Sequence, residues 1–385
     1  MAGEAGKAGG PVHEVESALS WIDTSLLTVI AASTAVVVLS GLVQVSFGTF
    51  TMSITTAWAS VFDPLVWTNP QVLLRLFLGE GFGNAVASAL GISTAAVDLP
   101  KETLIVWQIR MPRVLVGVIV GANLAVSGAV FQAVTRNELA SPFILGVSSG
   151  AGLAILLTLI VFSGLTTLLP LIAAGGGAVA FLLVYAIAWK GGTNPVRLVL
   201  AGVIVSTVFG SLQTGLFFFA DDLGVVQSAI AWTTGSLTGV DWEQVRMGLP
   251  WTLVAVPLTL VGARQLNVLL LGERTARSLG MSVERVRFAL SAVAVLAAGT
   301  AIAVAGIVGF VGLIVPHMVR QLVGSDYKRL VVASVFAGPA LVTLADVGAR
   351  LALSPAQLPV GIVTGLIGGP YFLYLMRKQD GLGDL

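Results

Sequence analysis

FALSAVAVLAAGTAIAVAGIVGFVGLIVPHMV, residues 288–319, is an unbroken run of 32 residues without Lys, Arg, Asp or Glu. As one α-helix it would reach about 48 Å, against a hydrocarbon core of about 30 Å. That is long for one membrane crossing and short for two. Charge placement decides between them. Arg285 and Arg287 precede the run; Arg320, Lys328 and Arg329 follow it. Basic residues gather on the cytoplasmic side of a membrane, so with both clusters there the chain must cross and return. Gly306, Gly309 and Gly312 offer the break. The run is therefore read as two spans, 288–305 and a shorter 306–319.

The same reading, carried outward, places spans at 25–48, 114–134, 143–162, 166–189, 197–219, 244–263, 330–352 and 357–376, ten in all. Composition agrees. Of 385 residues, 56% are apolar and 10% charged, where a soluble chain carries about 25% charged. Mean hydropathy is +0.96. So few charges cannot cover that much apolar surface in water. A soluble enzyme, a disordered chain and a nucleic-acid binder are excluded, and a net charge of +1 leaves no field to recruit nucleic acid. The fold class is an all-α polytopic membrane protein of about ten transmembrane helices.

Orientation follows from counting. With the N-terminus inside, 14 of the 20 Lys and Arg residues fall in cytoplasmic segments; Arg75, Lys101, Arg110, Arg113, Arg246 and Arg350 fall outside. This bias predicts both termini in the cytoplasm. The organisation is then a polar cytoplasmic tail (1–24), one transmembrane domain (25–376) and a short C-terminal cytoplasmic tail (377–385). The first 20 residues carry Glu4, Glu14 and Glu16 and no signal-peptide pattern. The domain contains an outside connection at 49–113 and a cytoplasmic loop at 264–287. Within the connection, 71–92 is amphipathic, and Arg75 and Glu80 argue against its spanning. Residues 223–240, LGVVQSAIAWTTGSLTGV, are too short and too rich in Gly and Thr for a span. They read as a half-helix beside a cavity, where irregular backbone is tolerated.

Catalytic signatures are absent. No Cys is present and the two His residues are His13 and His317, which leaves no thiol chemistry and no His-based metal cluster. Gly6-Lys7 lacks the flanking residues of a phosphate-binding loop. Gly175, Gly177 and Ala180 match GxGxxA but lie inside an apolar span, where helix packing is the simpler account. Gly117, Gly121, Gly128, Gly146, Gly150 and Gly152 are read the same way. Without a nucleotide site of its own, a transporter takes energy from an ion gradient or from a partner.

The loop 264–287, RQLNVLLLGERTARSLGMSVERVR, mixes leucines with charges, and Gly272 and Gly280 punctuate two short helices. An apolar face in a water-facing loop calls for a partner, or else for the bilayer surface. Asp346 and Arg350 stand four apart on one helix face, read as an ion pair near the outer end of that helix. Arg110 and Arg113, in QIRMPR, are either interfacial anchors or a basic docking patch. His317, after Pro316, is read as a packing or hydrogen-bonding residue.

Taken in order, IRMPR (109–113), GVIVGANLAVSGAVFQAVTRNELASPFILGVSSGAGLA (117–154), RLVLAGV (197–203), LGERTARSLG (271–280), GFVGLIVPHMVR (309–320), ADVGARLAL (345–353) and LPVGIVTGLIGGPYF (358–372) resemble the FecCD-type permeases. These are the BtuC-like membrane subunits of type II ABC importers for iron–siderophore, haem and cobalamin. The resemblance implies a ten-helix subunit pairing with a second permease subunit, identical or related, around a central path. It implies two ABC ATPase subunits inside, which use ATP and Mg, and an extracytoplasmic substrate-binding protein outside. The chain itself would hold no cofactor and no metal and perform no catalysis; membrane lipid is its solvent and nucleic acid is no partner. Carried over by position, Leu271, Gly272, Glu273, Arg274, Ala276, Arg277, Leu279 and Gly280 look like the ATPase-coupling helices. Arg110, Arg113 and Arg350 match outer-face positions where acidic residues of the binding protein dock. Asn137 and Leu139 lie in the segment resembling the cytoplasmic gate. The 223–240 segment resembles the short helix lining the path, which Gln213, Thr214, Thr233, Thr234 and Ser236 would line. GSL at 235–237 leans towards an iron–siderophore chelate, with cobalamin or haem as alternatives. The longer 49–113 connection departs from the family pattern. An ion-coupled secondary transporter would instead need a mid-span carboxylate, for which Asp346 is the candidate.

Overall fold

The computed structural model describes residues 21–47, 50, 52–220, 222–353 and 356–380. Most of the expected N-terminal tail and the last five residues of the C-terminal one lie outside them. Among the described residues the chain is helical without strands. The helices, in order, are α1 (Thr24–Ser46), α2 (Ile54–Val61), α3 (Pro64–Trp67), α4 (Pro70–Leu78), α5 (Glu80–Ala89), α6 (Lys101–Thr135), α7 (Val147–Val161), α8 (Leu169–Ala188), α9 (Pro195–Phe217), α10 (Leu223–Thr234), α11 (Trp242–Val261), α12 (Ala263–Leu270), α13 (Glu273–Ser278), α14 (Val283–Ala305), α15 (Val311–Val323), α16 (Tyr327–Leu351) and α17 (Val360–Asp380).

Seven of these, α1, α6, α8, α9, α11, α14 and α16, are long and apolar enough to cross a membrane; α7, α15 and α17 hold shorter apolar segments. Together they match the ten expected spans. The decisive run does break, at Gly306 (φ +72), and α15 begins after Phe310 (φ +66). Its boundaries differ from the expected ones. α14 starts at Val283 and α15 continues to Val323, so both helices run through their basic flanks. Hydropathy marks only the part in hydrocarbon, whereas the backbone hydrogen bonds continue the helix into the interface. The 71–92 stretch is likewise two helices, α4 and α5, divided at Gly79 (φ +81).

α6 is the axis of the bundle. It packs against α11, α14, α15 and α16, and its residues from Val116 to Thr135 are almost all buried. Small residues permit this. A Cβ on Gly128 would strike the Gly312 carbonyl of α15, and one on Gly121 would strike the Gly338 backbone of α16. Helices in lipid gain association from close backbone approach rather than from hydrophobic transfer. Gly150 meets Gly176 and Ala180 in the same manner, and Gly177 meets the Val147 carbonyl. Gly177 and Ala180 of the GxGxxA match are therefore helix contacts, while Gly175 faces open space.

Helices α2–α5 form a cap at one end of the bundle. Trp107 Nε1 donates to the Ser60 carbonyl (3.0 Å), and Trp242 Nε1 donates to the Trp107 carbonyl (2.6 Å). Arg246 donates to the Leu76 carbonyl (2.8 Å), and Phe77 meets Trp242 edge-on with ring centroids 4.8 Å apart. Between cap and bundle lies a cavity of about 700 Å³.

Candidate functional site: a coupling hairpin, a gate and a broken-helix path

At the end of the bundle opposite the cap, α11 stops at Gly262 and α12 turns along the surface. Ala263, Leu266 and Leu269 recur at three-residue spacing and face the bundle. Gly272 (φ +97) turns the chain into α13 and Gly280 (φ +81) turns it out again, a backbone region that L side chains disfavour. Ala276 is buried, while Leu271 and Leu279 are 61% and 64% exposed. Arg274 and Arg277 are also exposed. Two glycine turns thus hold up a small helix with leucines at both ends and arginines between them. Beside it, Arg136, Asn194 and Leu271–Thr275 surround a cleft of about 440 Å³.

The hairpin is anchored by a residue that sequence reasoning counted only as a positive charge. Arg287, 1% exposed, bonds Glu273 of α13 (2.7 Å), Glu284 of its own helix (3.1 Å), and both the carbonyl (2.8 Å) and the hydroxyl (2.9 Å) of Thr193. Glu284 in turn accepts from the Thr193 amide (3.0 Å) and hydroxyl (2.6 Å). The buried guanidinium thereby ties the hairpin to the base of α14 and to the α8–α9 turn. The Glu284–Arg287 spacing is readable as an i,i+3 pair; the Glu273–Arg287 contact is not, because it closes across a loop.

The segment after α6 turns at Arg136 (φ +47). Asn137 accepts from the Leu139 amide (2.9 Å), and Leu139 is half-exposed. Between them Glu138 lies 3.3 Å from His317 Nδ1 and 3.2 Å from Arg320, both on α15. Arg320 also donates to Gln132 and to the Tyr327 hydroxyl, each at 3.1 Å. His317 Nε2 meets Gln321 at 2.9 Å. His317 is a hydrogen-bonding residue, and it stands in the network that fastens the 136–140 turn to α15.

Three interrupted helices meet within the bundle. α10 ends at Gly235 (φ +70), α14 ends at Gly306, and α17 begins against both. The freed backbone groups satisfy one another. Ser236 N–H donates to Ala305 O (2.8 Å), Ile307 N–H to Trp232 O (2.9 Å), and Gly361 N–H to Gly235 O (3.2 Å). Non-helical backbone at membrane depth persists only under such pairing. A cavity of about 190 Å³ lies here among Trp232, Ser236, Thr238 and Gln244.

Of the expected path residues, Ser236 lines this cavity. Thr233 and Thr234 stand a turn away, with their hydroxyls bonded back to Ala229 and Ile230 carbonyls. Gln213 and Thr214 lie on α9, away from this cavity. Gln213 donates to the Ser149 carbonyl of α7 (3.0 Å), and Thr214 is exposed on α9 with its hydroxyl on the Gly210 carbonyl.

The expectation for Arg110, Arg113 and Arg350 requires a correction. Arg110 and Arg113 are 3% and 7% exposed and are engaged inside the chain, so neither is free to dock an acidic partner. Arg110 donates to the carbonyls of Val45 and Phe50. Arg350, half-buried, donates to the Gln44 carbonyl (2.9 Å). Gln44 and Val45 belong to the last turn of α1, whose carbonyls lack helical partners and carry the negative end of the helix dipole. Arg110 and Arg350 cap that helix. Arg113 grips Asp346 with two bonds of 2.9 Å and reaches Gln357 at 2.7 Å. Asp346, fully buried, therefore pairs with Arg113 of the central helix and not with Arg350. Position along the chain hid this, since 233 residues separate the partners.

A family model for the FecCD transport family matches residues 34–378. The iron(3+)-hydroxamate import permease FhuG of Bacillus subtilis is 36% identical over 340 residues, covering 86% of this chain and 96% of that protein. The vitamin B12 import permease BtuC of Vibrio cholerae is 38% identical over 312 residues, covering 80% and 94%. A solved structure described as an inward-facing conformation of a metal-chelate type ABC transporter superposes with a TM-score of 0.73 at 27% identity, covering 91% of this chain and 99% of that one.

Proposed function

The chain belongs to the FecCD transport family as a multi-pass membrane permease of the ABC-importer kind, and we propose that its cargo is a ferric chelate of the siderophore class. A permease subunit of an iron(3+)-hydroxamate system is among its relatives over nearly full length. The chelate arrives from an extracytoplasmic binding protein and leaves into the cytoplasm, where the N- and C-termini and the α12–α13 hairpin lie. Two ATPase subunits use ATP and Mg there; this chain supplies no catalytic group. A second permease subunit completes the path.

The observation that carries this reading is the hairpin. Leu271 and Leu279 are exposed at its tip, yet its base is locked by Arg287 to α14, the helix that ends at the broken-helix junction. A pull on Leu271, Gly272, Arg274, Arg277, Leu279 or Gly280 is transmitted through Glu273 and Ala276 into that helix as a rigid-body shift. The gate turn at Asn137 and Leu139 sits against the same end through Glu138. Ser236 and the neighbouring Thr233 and Thr234 face the cargo, which a wide, weakly polar passage holds loosely. Binding-protein docking uses the cap and the half-exposed edge of Arg350.

The test is uptake of radiolabelled ferric hydroxamate into vesicles holding the permease, its ATPase and its binding protein. Uptake is expected to need hydrolysable ATP. Uptake that continues with a hydrolysis-dead ATPase overturns the coupling role, and a binding protein that holds cobalamin or haem instead overturns the cargo.

A further inference from the structure

A second cavity faces sideways into the membrane. It has a volume of about 420 Å³ and lies between α1, α6, α11 and α16, walled by Val37, Ala122, Leu253, Val256, Phe336 and Pro339 among others. Its wall shows almost no free polarity. Thr252 accepts from Asn123 (2.6 Å) and donates to the Gly248 carbonyl (2.8 Å). A space this large without polar partners does not hold ordered water. In a bilayer the remaining filler is hydrocarbon.

The mouth of the crevice is charged. On α16, Lys328 stands seven residues before Val335 and eleven before Pro339. Those separations keep all three on one helix face, so Lys328 lies directly below the crevice. The rise along the helix is about 10–17 Å, about half of the hydrocarbon thickness. That is the reach of an acyl chain from its headgroup to the bilayer centre. Lys328 lies over the Trp21 ring at 4.4 Å and has no carboxylate partner among the described residues, whereas its neighbour Arg329 is held by Asp23 (2.7 Å). On α12, Arg264 is exposed and unpaired among the described residues. It stands one turn before Asn267, whose side chain bonds Asp326 (2.7 Å) and the Tyr327 amide (2.8 Å). α12 is thereby laid against the start of α16, the helix that carries Lys328, with Arg264 one turn from that contact.

We propose that this crevice is a binding site for an anionic glycerophospholipid of the leaflet on the hairpin side, with its phosphate between Arg264 and Lys328 and one acyl chain along Phe336 and Val256. Basic pockets between transmembrane helices on that side select anionic headgroups, each basic residue near the surface contributing measurably. The site joins α12, the first helix of the coupling hairpin, to α1 and α16, so a bound lipid braces the base of the moving element.

The experiment uses the full chain in phosphatidylcholine nanodiscs doped with phosphatidylglycerol that carries a diazirine at the end of one acyl chain. A phosphatidylcholine analogue with the same label is the comparator. Crosslinked peptides are mapped by mass spectrometry. Phosphatidylglycerol is expected to label 249–257 and 335–339 in preference to phosphatidylcholine. R264Q or K328Q should each lower that labelling about fivefold and the double variant about 25-fold, while K328R retains it. Filling the crevice with Leu253→Trp should remove labelling of 335–339 by both probes. Equal labelling by the two lipids, labelling unchanged in the R264Q/K328Q variant, or crosslinks confined to other segments overturns the proposal. The readout is lipid contact, so it stands or falls independently of the cargo.

Discussion

Removing Asp346 leaves Arg113 of the central helix buried with its charge uncompensated. The two bonds between them are 2.9 Å each and both side chains are shielded, Arg113 at 9% and Asp346 at 0% exposure. Breaking a buried pair by deleting one partner costs about 3–5 kcal/mol, and a lone charge in the membrane interior costs about 2.5–3.5 kcal/mol on insertion scales. Asp346→Ala is therefore expected to destabilise by about 3–5 kcal/mol. Gln357 accepts from Arg113 (2.7 Å) and from Thr238 (3.3 Å), which softens the loss towards the lower end. Arg113→Leu should cost a comparable amount, by burying the Asp346 carboxylate alone. The double variant R113L/D346L removes both charges and should be more stable than either single variant, since apolar replacement of a buried pair is close to neutral. Unfolding of the purified permease in detergent, followed by tryptophan fluorescence, measures all four corners of the cycle. Single-variant losses that add up to the double-variant loss within about 0.5 kcal/mol would refute the pairing.

Other outcomes follow from the same geometry. Arg287→Met frees the hairpin from α14 and the α8–α9 turn; uptake by the reconstituted importer should fall at least tenfold, with faster amide exchange confined to 263–280 and 190–194. Leu271→Asp and Leu279→Asp each remove an exposed leucine of the hairpin, worth about 1.5–3 kcal/mol if buried on docking, so each should weaken ATPase retention in pull-downs about tenfold or more. Gly128→Val places a side chain against the Gly312 backbone; the expected loss exceeds about 3 kcal/mol and abolishes monodisperse protein in size-exclusion chromatography, while Gly175→Ala, which meets open space, leaves it intact. The Leu26 amide, the Ser25 hydroxyl and Arg329 hold the Asp23 carboxyl below its ordinary value. Its contribution is present above that ordinary value and is lost as pH falls through the lower folded-state value, so D23N should flatten the acid limb of an unfolding curve below about pH 4.

Ten apolar segments, their order and the break at Gly306 were legible along the chain, because crossing a hydrocarbon layer demands length and apolarity that neighbouring residues alone supply. The hairpin was legible too: Gly272 and Gly280 bracket a helix of six residues, and leucines in a charged loop have no local use. Helix α14 nevertheless begins inside its basic flank, since backbone hydrogen bonds do not stop where hydropathy does. What Arg110, Arg113, Arg287 and Arg350 do could be decided only in three dimensions. An arginine near a membrane surface looks the same in sequence whether it faces water, caps α1 or meets Asp346. The choice depends on which helix lies beside it, and that is set by glycines letting α6 approach α15 and α16 to backbone contact. Gln213 and Thr214 make the same point: helical spacing places both on α9, but only packing puts Gln213 against the Ser149 carbonyl of α7 and leaves Thr214 exposed.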